Sequence, residues 1–388
     1  MNSLKEKGAS YIRQREKEGL IFMLLSITVF SFFASKMGMA NLMSTIMATA
    51  YDLLMNTVFY LMAVTVLAGA MGNLLIEFGV VRLLEKILSP LMRPLFALPG
   101  VSSLGAVMSF LSDNPAIIAL AKNKDFSAYF RKKELISLTN FGTAFGMGLL
   151  VLSYMASIGY FTAGLVGFLG AIIGATVSTR LMQLFIAKDF PDDDEQLVSD
   201  KKPEAIILHE PAKGSVLVRF LNAFLDGGKN GVDLGLAIIP GVLVITTAVM
   251  LMSKGQGIDK VTGLAAYTGA AYEGIPIIPW IGSKLHWLFK ALFGFDNPEL
   301  LAFPITSLGS VGAALGLLPG YIKAGLIHSK EIAVFTAIGM CWSGYLSTHA
   351  AMMDALGQRE LTSKAIAAHT IAGIVAGIAA HILTLIFF

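Results

Sequence analysis

Leu98-Pro99-Gly100-Val101-Ser102-Ser103-Leu104-Gly105 opens a stretch that runs apolar to Leu111 and meets Ser112-Asp113-Asn114-Pro115. It then turns apolar again and closes on a basic patch ahead of a helix from Lys133. Each apolar run is too short to cross about 30 Å of hydrocarbon, which takes roughly 20 residues of helix. The stretch reads as a re-entrant hairpin that dips into a membrane and returns. Irregular backbone at membrane depth is tolerated only where protein buries it or water lines it. A tip made of Asp113-Asn114-Pro115 therefore implies a polar cavity.

A second copy of this pattern is expected over residues 303–340, where Phe303-Pro304-Ile305-Thr306-Ser307-Leu308-Gly309 precedes Leu318-Pro319-Gly320 and then Lys330-Glu331. Leu104-Gly105 and Pro115 align with Leu308-Gly309 and Pro319 at an offset of 204. Lys133-Glu134 and Gly142 align with Lys330-Glu331 and Gly339 at an offset of 197. Broken segments at matching places of two halves point to the binding site of a transporter.

Composition sets the class. The 388 residues are 55% hydrophobic and 14% charged, with a mean hydropathy of +0.71, whereas soluble domains carry about 25% charged residues. This is an all-α polytopic membrane protein. The formal net charge is +3 with no basic stripe interleaved with aromatics, so nucleic acid is not expected as a partner. The single cysteine, Cys341, excludes an intrachain disulfide or a Cys-based metal cluster, and scattered histidines give no metal-ligand spacing.

Four segments follow: a cytoplasmic amphipathic N-terminus (1–19), a first membrane half (20–186), a charged linker (187–214) and a second membrane half (215–388). Lys5, Lys7, Arg13, Arg15 and Lys17 ahead of the first apolar span, Leu20 to Ser35, place the N-terminus in the cytoplasm. That span has no small-residue cleavage site, so it is expected to stay as a membrane helix rather than be cut as a signal peptide. Ala40 to Asn56 is apolar but holds Asp52, and suits either the interface or the bundle interior. Thr57 to Ile76, Leu135 to Ile158, Tyr160 to Ile186 and Val232 to Met252 read as crossings, and Glu331 to Met353 and Lys364 to Phe388 complete the set. Asp192-Asp193-Asp194-Glu195 and Lys201-Lys202-Pro203 mark the linker as a solvated connector. Gly263 to Gly282, broken by Glu273-Gly274-Ile275-Pro276 and Pro279, leaves two topologies open. If it crosses, the repeats are parallel; if it is re-entrant, they are inverted, which is the reading adopted.

An ionisable group inside a bilayer costs about 2.5–3.5 kcal/mol on insertion scales, so it faces a cavity or the bundle interior. Asp113, beside Asn114, is the sharpest candidate for contact with substrate or ion. Ser102, Ser103, Thr306 and Ser307 precede the Leu-Gly pairs at expected helix starts, where free N–H groups hold anionic or hydrogen-bonding ligands or the hydroxyls simply cap. Asn140 and Thr143 after the first hairpin, and Ser343 after the second, are further candidates against a plain helix-packing role. Glu273, in the broken segment, is a candidate for coupling or gating. Asp233 is read as interfacial. No zinc-protease, P-loop or dinucleotide motif is present, so an enzyme is not expected.

Phe220-Leu221-Asn222-Ala223-Phe224-Leu225-Asp226-Gly227-Gly228-Lys229-Asn230-Gly231-Val232-Asp233 leads into Gly235-Leu236-Ala237-Ile238-Ile239-Pro240-Gly241. With this run and the units Pro99 to Gly148 and Pro304 to Ala350, the chain resembles the family named for its nucleoside-recognition or Gate domain. That family comprises bacterial inner-membrane proteins including the spore maturation A and B pair, here as two halves on one chain. The resemblance covers most of residues 45–355, and its motifs, rich in Gly, Pro and small residues, are moderately specific. Similar Gate units occur in concentrative nucleoside transporters and in the membrane part of ferrous iron transporters. The resemblance implies transport, with substrate held between hairpin tips and broken helices, and does not by itself imply nucleosides. Iron is disfavoured by the lack of a soft-metal pathway.

The expectation is a multi-pass protein of the cell inner membrane, an ion-coupled secondary carrier for a small polar solute, nucleoside-like or amino-acid-like. Na+ or H+ would be the coupling ion and no other cofactor is expected. Its partners would be the lipid bilayer, the solute and, possible for such carriers, further copies in a homo-oligomer. The alternatives are a non-transporting scaffold or assembly factor of the spore-maturation type, or a channel.

Overall fold

A computed structural model describes residues 2–113, 115–191, 214–259 and 261–388. Asn114 and most of the expected linker lie outside the described residues. The chain is an all-α polytopic membrane protein, 79% helical. Among the described residues six helices are long and apolar enough to cross a membrane: Gln14–Met37, Met39–Glu77, Lys132–Ser157, Phe161–Phe185, Val216–Ser253 and Arg359–Phe387.

In chain order, α1 (Asn2–Met37) and α2 (Met39–Asp52) part at Gly38, whose φ of 80° suits glycine. A π-wide turn over Leu53–Val58 carries α2 into α3 (Phe59–Glu77). Ala40 to Asn56 thus runs into one long helical stretch, Met39–Glu77, with Leu42, Thr45 and Thr49 buried on it. The next helix, α4 (Val80–Phe96), exposes Leu83, Ile87, Leu91 and Leu95 at every fourth position beside exposed Arg82 and Lys86, the pattern of a helix lying along a membrane surface. Arg180 and Gln183 donate to the carbonyls of Pro94, Leu95, Phe96 and Ala97, satisfying the end of α4 that no helix turn can. The first hairpin is α5 (Ser102–Leu111) and α6 (Pro115–Lys122), followed by the short α7 (Lys124–Ser127). A broken helix follows, α8 (Lys132–Thr143) and α9 (Gly148–Ser157), then α10 (Phe161–Phe185).

In the second half α11 (Val216–Ala237) runs through a π-wide turn at Gly241–Thr246 into α12 (Thr247–Ser253). Among the described residues of 254–276 there is no helix: β1 (Gly257–Ile258) pairs antiparallel with β2 (Ala265–Ala266). Gly263 to Gly282 is therefore neither a crossing helix nor a helical re-entrant segment, because its Gly and Pro residues favour turns over helix. After α13 (Ile277–Lys284) and α14 (His286–Phe293), a 3-10 turn at Pro298–Leu301 leads to the second hairpin, α15 (Ala302–Gly309), α16 (Val311–Leu315) and α17 (Leu318–Lys323). The second broken helix is α18 (Ser329–Trp342) and α19 (Tyr345–Ala355), and α20 (Thr362–Phe387) ends the order.

The second hairpin breaks at Ser310, not at Leu318-Pro319, so the offset of 204 fails at the tip. One offset describes the folded halves. Residue pairs 197 apart include the capping glutamates Glu134 and Glu331, which accept from the backbone N–H of Arg131 and His328 at 2.9 and 2.8 Å. The same spacing links Met147 (φ 58°) to Gly344 (φ 68°), and Ala97 (φ 52°) to Gly294 (φ 69°). It also links the breaks at Asp113 and Ser310.

Two compact units divide the chain, residues 1–52 with 250–277, and residues 53–249 with 278–388. In the smaller unit one face of α2 holds the irregular loop. Asn41 donates to the Tyr267 carbonyl (2.9 Å) and Ser44 to that of Gly269 (3.0 Å), Thr49 accepts from Tyr272 N–H (2.8 Å), and Asp52 accepts from the Tyr272 hydroxyl. In the larger unit α10 packs on α18 and α20 through small residues. A Cβ at Gly170 would stand 2.8 Å from the Ala376 carbonyl, and one at Gly174 2.6 Å from the Cys341 sulfur. Small residues let membrane helices approach closely where no water drives them together. Every residue of α18 from Glu331 to Trp342 is buried.

Candidate functional site

The four helix interruptions of the larger unit define the site. Ser310 takes an extended backbone (φ −168°, ψ 124°) that ends α15, and its hydroxyl caps α16 by accepting from Ala313 N–H at 3.2 Å. Thr246 donates to the Ala313 carbonyl at 2.8 Å and pins that turn. The break between α18 and α19 is anchored when Gly344 N–H donates to the Ser307 carbonyl at 3.2 Å. There a Cβ on Gly344 would come within 3.0 Å of the Gly309 carbonyl.

These breaks converge on a cavity of about 240 Å³ lined by Asp113, Met147, Ser310, Ser343, Gly344, Ser347 and Thr348, with Leu234 and Ile238 of the α11 region closing it. A second cavity of about 390 Å³ also has Asp113 in its wall, with Thr65, Asn73, Asn230 and Asp233 among its other polar lining residues. Asp113, Leu234 and Ala237 belong to both walls. A carboxylate shared by two cavities, with a second one at Asp233 in the larger, favours cationic or hydrogen-bond-donating groups there. Asp233 lines the larger cavity from α11 while remaining exposed.

The other expected site residues lie elsewhere. Ser102 and Ser103 do open α5, but their hydroxyls donate to the Pro99 and Gly100 carbonyls at 2.7 and 2.8 Å. Thr306 and Ser307 lie within α15 rather than at its start, and bond the Ala302 and Phe303 carbonyls one turn back at 2.7 and 3.0 Å. Asn140 donates to the Ser178 hydroxyl (3.1 Å) and the Ala365 carbonyl (3.0 Å), and Thr143 to the Thr139 carbonyl (2.8 Å). All six are buried and line neither cavity. Glu273 belongs to the smaller unit, where it accepts from Thr268 N–H (2.9 Å), Thr268 hydroxyl (2.7 Å) and Gly269 N–H (3.0 Å). Its carboxylate knots a loop beside a separate cavity of about 590 Å³. Asn114 lies outside the described residues. Sequence reasoning missed Ser310 as a lining residue; a serine followed by Val-Gly-Ala-Ala is a helix N-cap pattern that could have marked the break.

No family model matches the chain. Over 297 residues, 72% of this chain, it is 24% identical to an uncharacterized protein of Alkalihalophilus pseudofirmus, of whose length the match spans 58%. Over 73 residues, 18% of each chain, it is 36% identical to the sporulation integral membrane protein YlbJ of Bacillus subtilis. Among solved structures it is similar to CNTnw, a concentrative nucleoside transporter. A CNTnw variant in an outward-facing state matches with a TM-score of 0.55 at 13% identity, over 98% of this chain and 87% of that one. An inward-facing, substrate-bound state matches with a TM-score of 0.54 at 14% identity, over 95% and 86%. At that identity the likeness is one of fold.

Proposed function

We propose that the chain is an ion-coupled secondary carrier for a small polar organic solute, held between the hairpin tips and the broken helices. One observation carries this reading: four interruptions far apart in sequence meet at a cavity whose wall holds Asp113, Ser310, Ser343, Ser347 and Thr348. Interrupted helices at matching places of two halves are how carriers expose backbone and side-chain polarity at membrane depth. The volume of about 240 Å³ is below the 300–1,000 Å³ typical of drug-sized ligand pockets, which suits a small solute, nucleoside-like or amino-acid-like. A fold shared with a transporter solved in outward- and inward-facing states adds support. On this reading the repeats are Gate units inverted in an inner membrane, the N-terminus and linker are cytoplasmic, and Na+ or H+ drives transport.

The test is thermal stabilisation of the purified protein against nucleosides, bases, amino acids, dipeptides and small carboxylates, with and without sodium. A ligand that binds the folded state stabilises it by RT ln(1 + [L]/Kd), about 2.7 kcal/mol at 100 Kd. A hit should vanish or weaken at least about tenfold in Asp113→Asn, the loss expected when a charge-assisted contact worth about 1.5–3 kcal/mol is removed. Should no compound shift either protein, the second reading gains: a non-transporting membrane scaffold, favoured by the segment similar to a sporulation protein.

A further inference from the structure

Behind the tip cavity lies a buried cluster that solute binding does not use. His349 on α19 and His369 on α20 are both fully buried, with ring centroids 4.6 Å apart. The Tyr345 ring lies 5.8 Å from the first and 5.2 Å from the second.

Hydrogen bonds fix both tautomers. His369 Nε2 faces the Cys341 carbonyl, which can only accept, so that nitrogen carries the hydrogen. His369 Nδ1 therefore accepts from the Ser178 hydroxyl at 2.6 Å, and Ser178 accepts from Asn140 Nδ2 at 3.1 Å. A neutral His369 is fully satisfied. His349 is not. Its Nδ1 lies 3.0 Å from the Tyr345 carbonyl and must be the N–H, which leaves Nε2 a bare lone pair with no donor among the described residues.

We propose that His349 Nε2 is the proton-binding atom of this protein, empty of its proton in the packing seen here and loaded when the break at Ser343-Gly344 opens. This rests on the carrier reading, and names H+ as the coupling ion. The elements packed on α19 are α6, α8, α15, α20 and the turn at Arg359–Leu361. Their titratable groups are Lys122 on α6; Lys132, Lys133 and Glu134 on α8; Lys364, His369 and His381 on α20; and Arg359 and Glu360 on the turn, α15 having none. Tyr345 and Asp354 lie on α19 itself. Of these, His369 and Tyr345 make ring contacts with His349. A proton on Nε2 here would be a buried imidazolium against a second imidazole with no carboxylate bonded to it, and a buried charge without a partner is strongly disfavoured. Protonation and this packing therefore exclude one another. The link to the site is direct, since Ser347 and Thr348 line the cavity and Thr348 bonds the Gly344 carbonyl at 3.0 Å through its hydroxyl. His349 is the next residue in that turn.

Two measurements test it. In the first, Ser343→Cys, at a position buried in this packing and beside the break, serves as a reporter in detergent-purified protein, since the native Cys341 is also buried. Its maleimide labelling rate is divided by that of an exposed control, Glu360→Cys, to remove the thiol's own pH dependence. The ratio should rise about fivefold from pH 8 to pH 5.5, a modest population shift, and should stay flat when His349→Gln is added. A flat ratio in the parent, or a rise that survives His349→Gln, overturns the proposal. In the second, nitrogen-15 NMR of histidine-labelled wild type in liposomes should show two buried neutral rings at pH 8, an Nε2–H one for His369 and an Nδ1–H one for His349, and only the Nδ1–H one should become imidazolium by pH 5.5. The absence of a buried Nδ1–H ring beside the Nε2–H ring of His369, or an Nδ1–H ring neutral throughout, overturns it even if His349→Gln fails to fold. A solute panel without hits but with the proton response intact would sink the carrier reading and leave the proton site standing; hits without that response would sink the proton site alone.

Discussion

Asp113 and Ser310 hold corresponding places in the two hairpins with different chemistry, a carboxylate in one and a helix-capping hydroxyl in the other. Asp113 was legible in the sequence because an ionisable group in an apolar stretch has few places to go. Thr306 and Ser307 were misplaced at a helix start because a hydroxyl is equally well satisfied by the carbonyl one turn back, and sequence does not choose between the two. A separate charge acts outside the membrane spans. Lys330 and Lys290, at 2.8 and 3.0 Å, hold the Asp296 carboxyl down to about 2 from its ordinary 3.8. A lowered carboxyl contributes stability that is fully present above its unfolded value and is lost as pH falls towards its folded one. Wild type should therefore lose more thermal stability than Asp296→Asn between pH 4 and pH 2. The pair is largely exposed, with the Asp296 side chain at 62%, so the difference at neutral pH should stay below about 1 kcal/mol. Equal acid sensitivity of the two proteins would count against the pairing.

Helix packing depends on which glycine faces the neighbour. In α11 a Cβ at Gly227 would stand 2.4 Å from the Gly69 carbonyl of α3, while one at Gly228 meets nothing nearer than Val66 at 3.8 Å. Gly227→Ala should then cost about 1–3 kcal/mol, as overpacking does. Gly228→Ala should be neutral or gain up to about 1 kcal/mol from helix propensity. Melting curves of the two variants decide, and equal melting points would mean the helices are not in that register. The sequence shows both glycines in one run and does not say which is which, because that depends on how the two helices are rotated. The hairpins show the same division. Their short apolar runs and polar interruption were readable, yet the second break was placed at Leu318-Pro319 rather than Ser310, since proline is tolerated in the first turn of a helix and α17 begins at Leu318 with Pro319 next.

For the whole chain, membrane topology follows from what residues 254–276 do. They form a β-paired loop and not a crossing helix, and the proposed inverted arrangement requires that loop to face the side opposite the N-terminus. Val261 is 94% exposed on that loop. A membrane-impermeant maleimide should label Val261→Cys in intact cells and should not label Glu360→Cys until the membrane is opened. The opposite pattern would make the inverted arrangement untenable.

Apolar content and the lengths of the apolar runs were enough, from sequence alone, to make this a multi-pass helical membrane protein with a pair of short helices broken at Asp113, because hydrocarbon leaves the backbone few alternatives. Tertiary structure alone decided the rest. It brought Ser310, Ser343 and Met147 to the cavity beside Asp113, gave Asn140 and Thr143 hydrogen bonds to neighbouring helices and their own backbone, and left His349 Nε2 without a partner among the described residues. Those outcomes depend on which faces of helices distant in sequence meet, and a polar side chain in a membrane helix carries the same local signal whether it meets a cavity, a neighbouring helix or its own backbone.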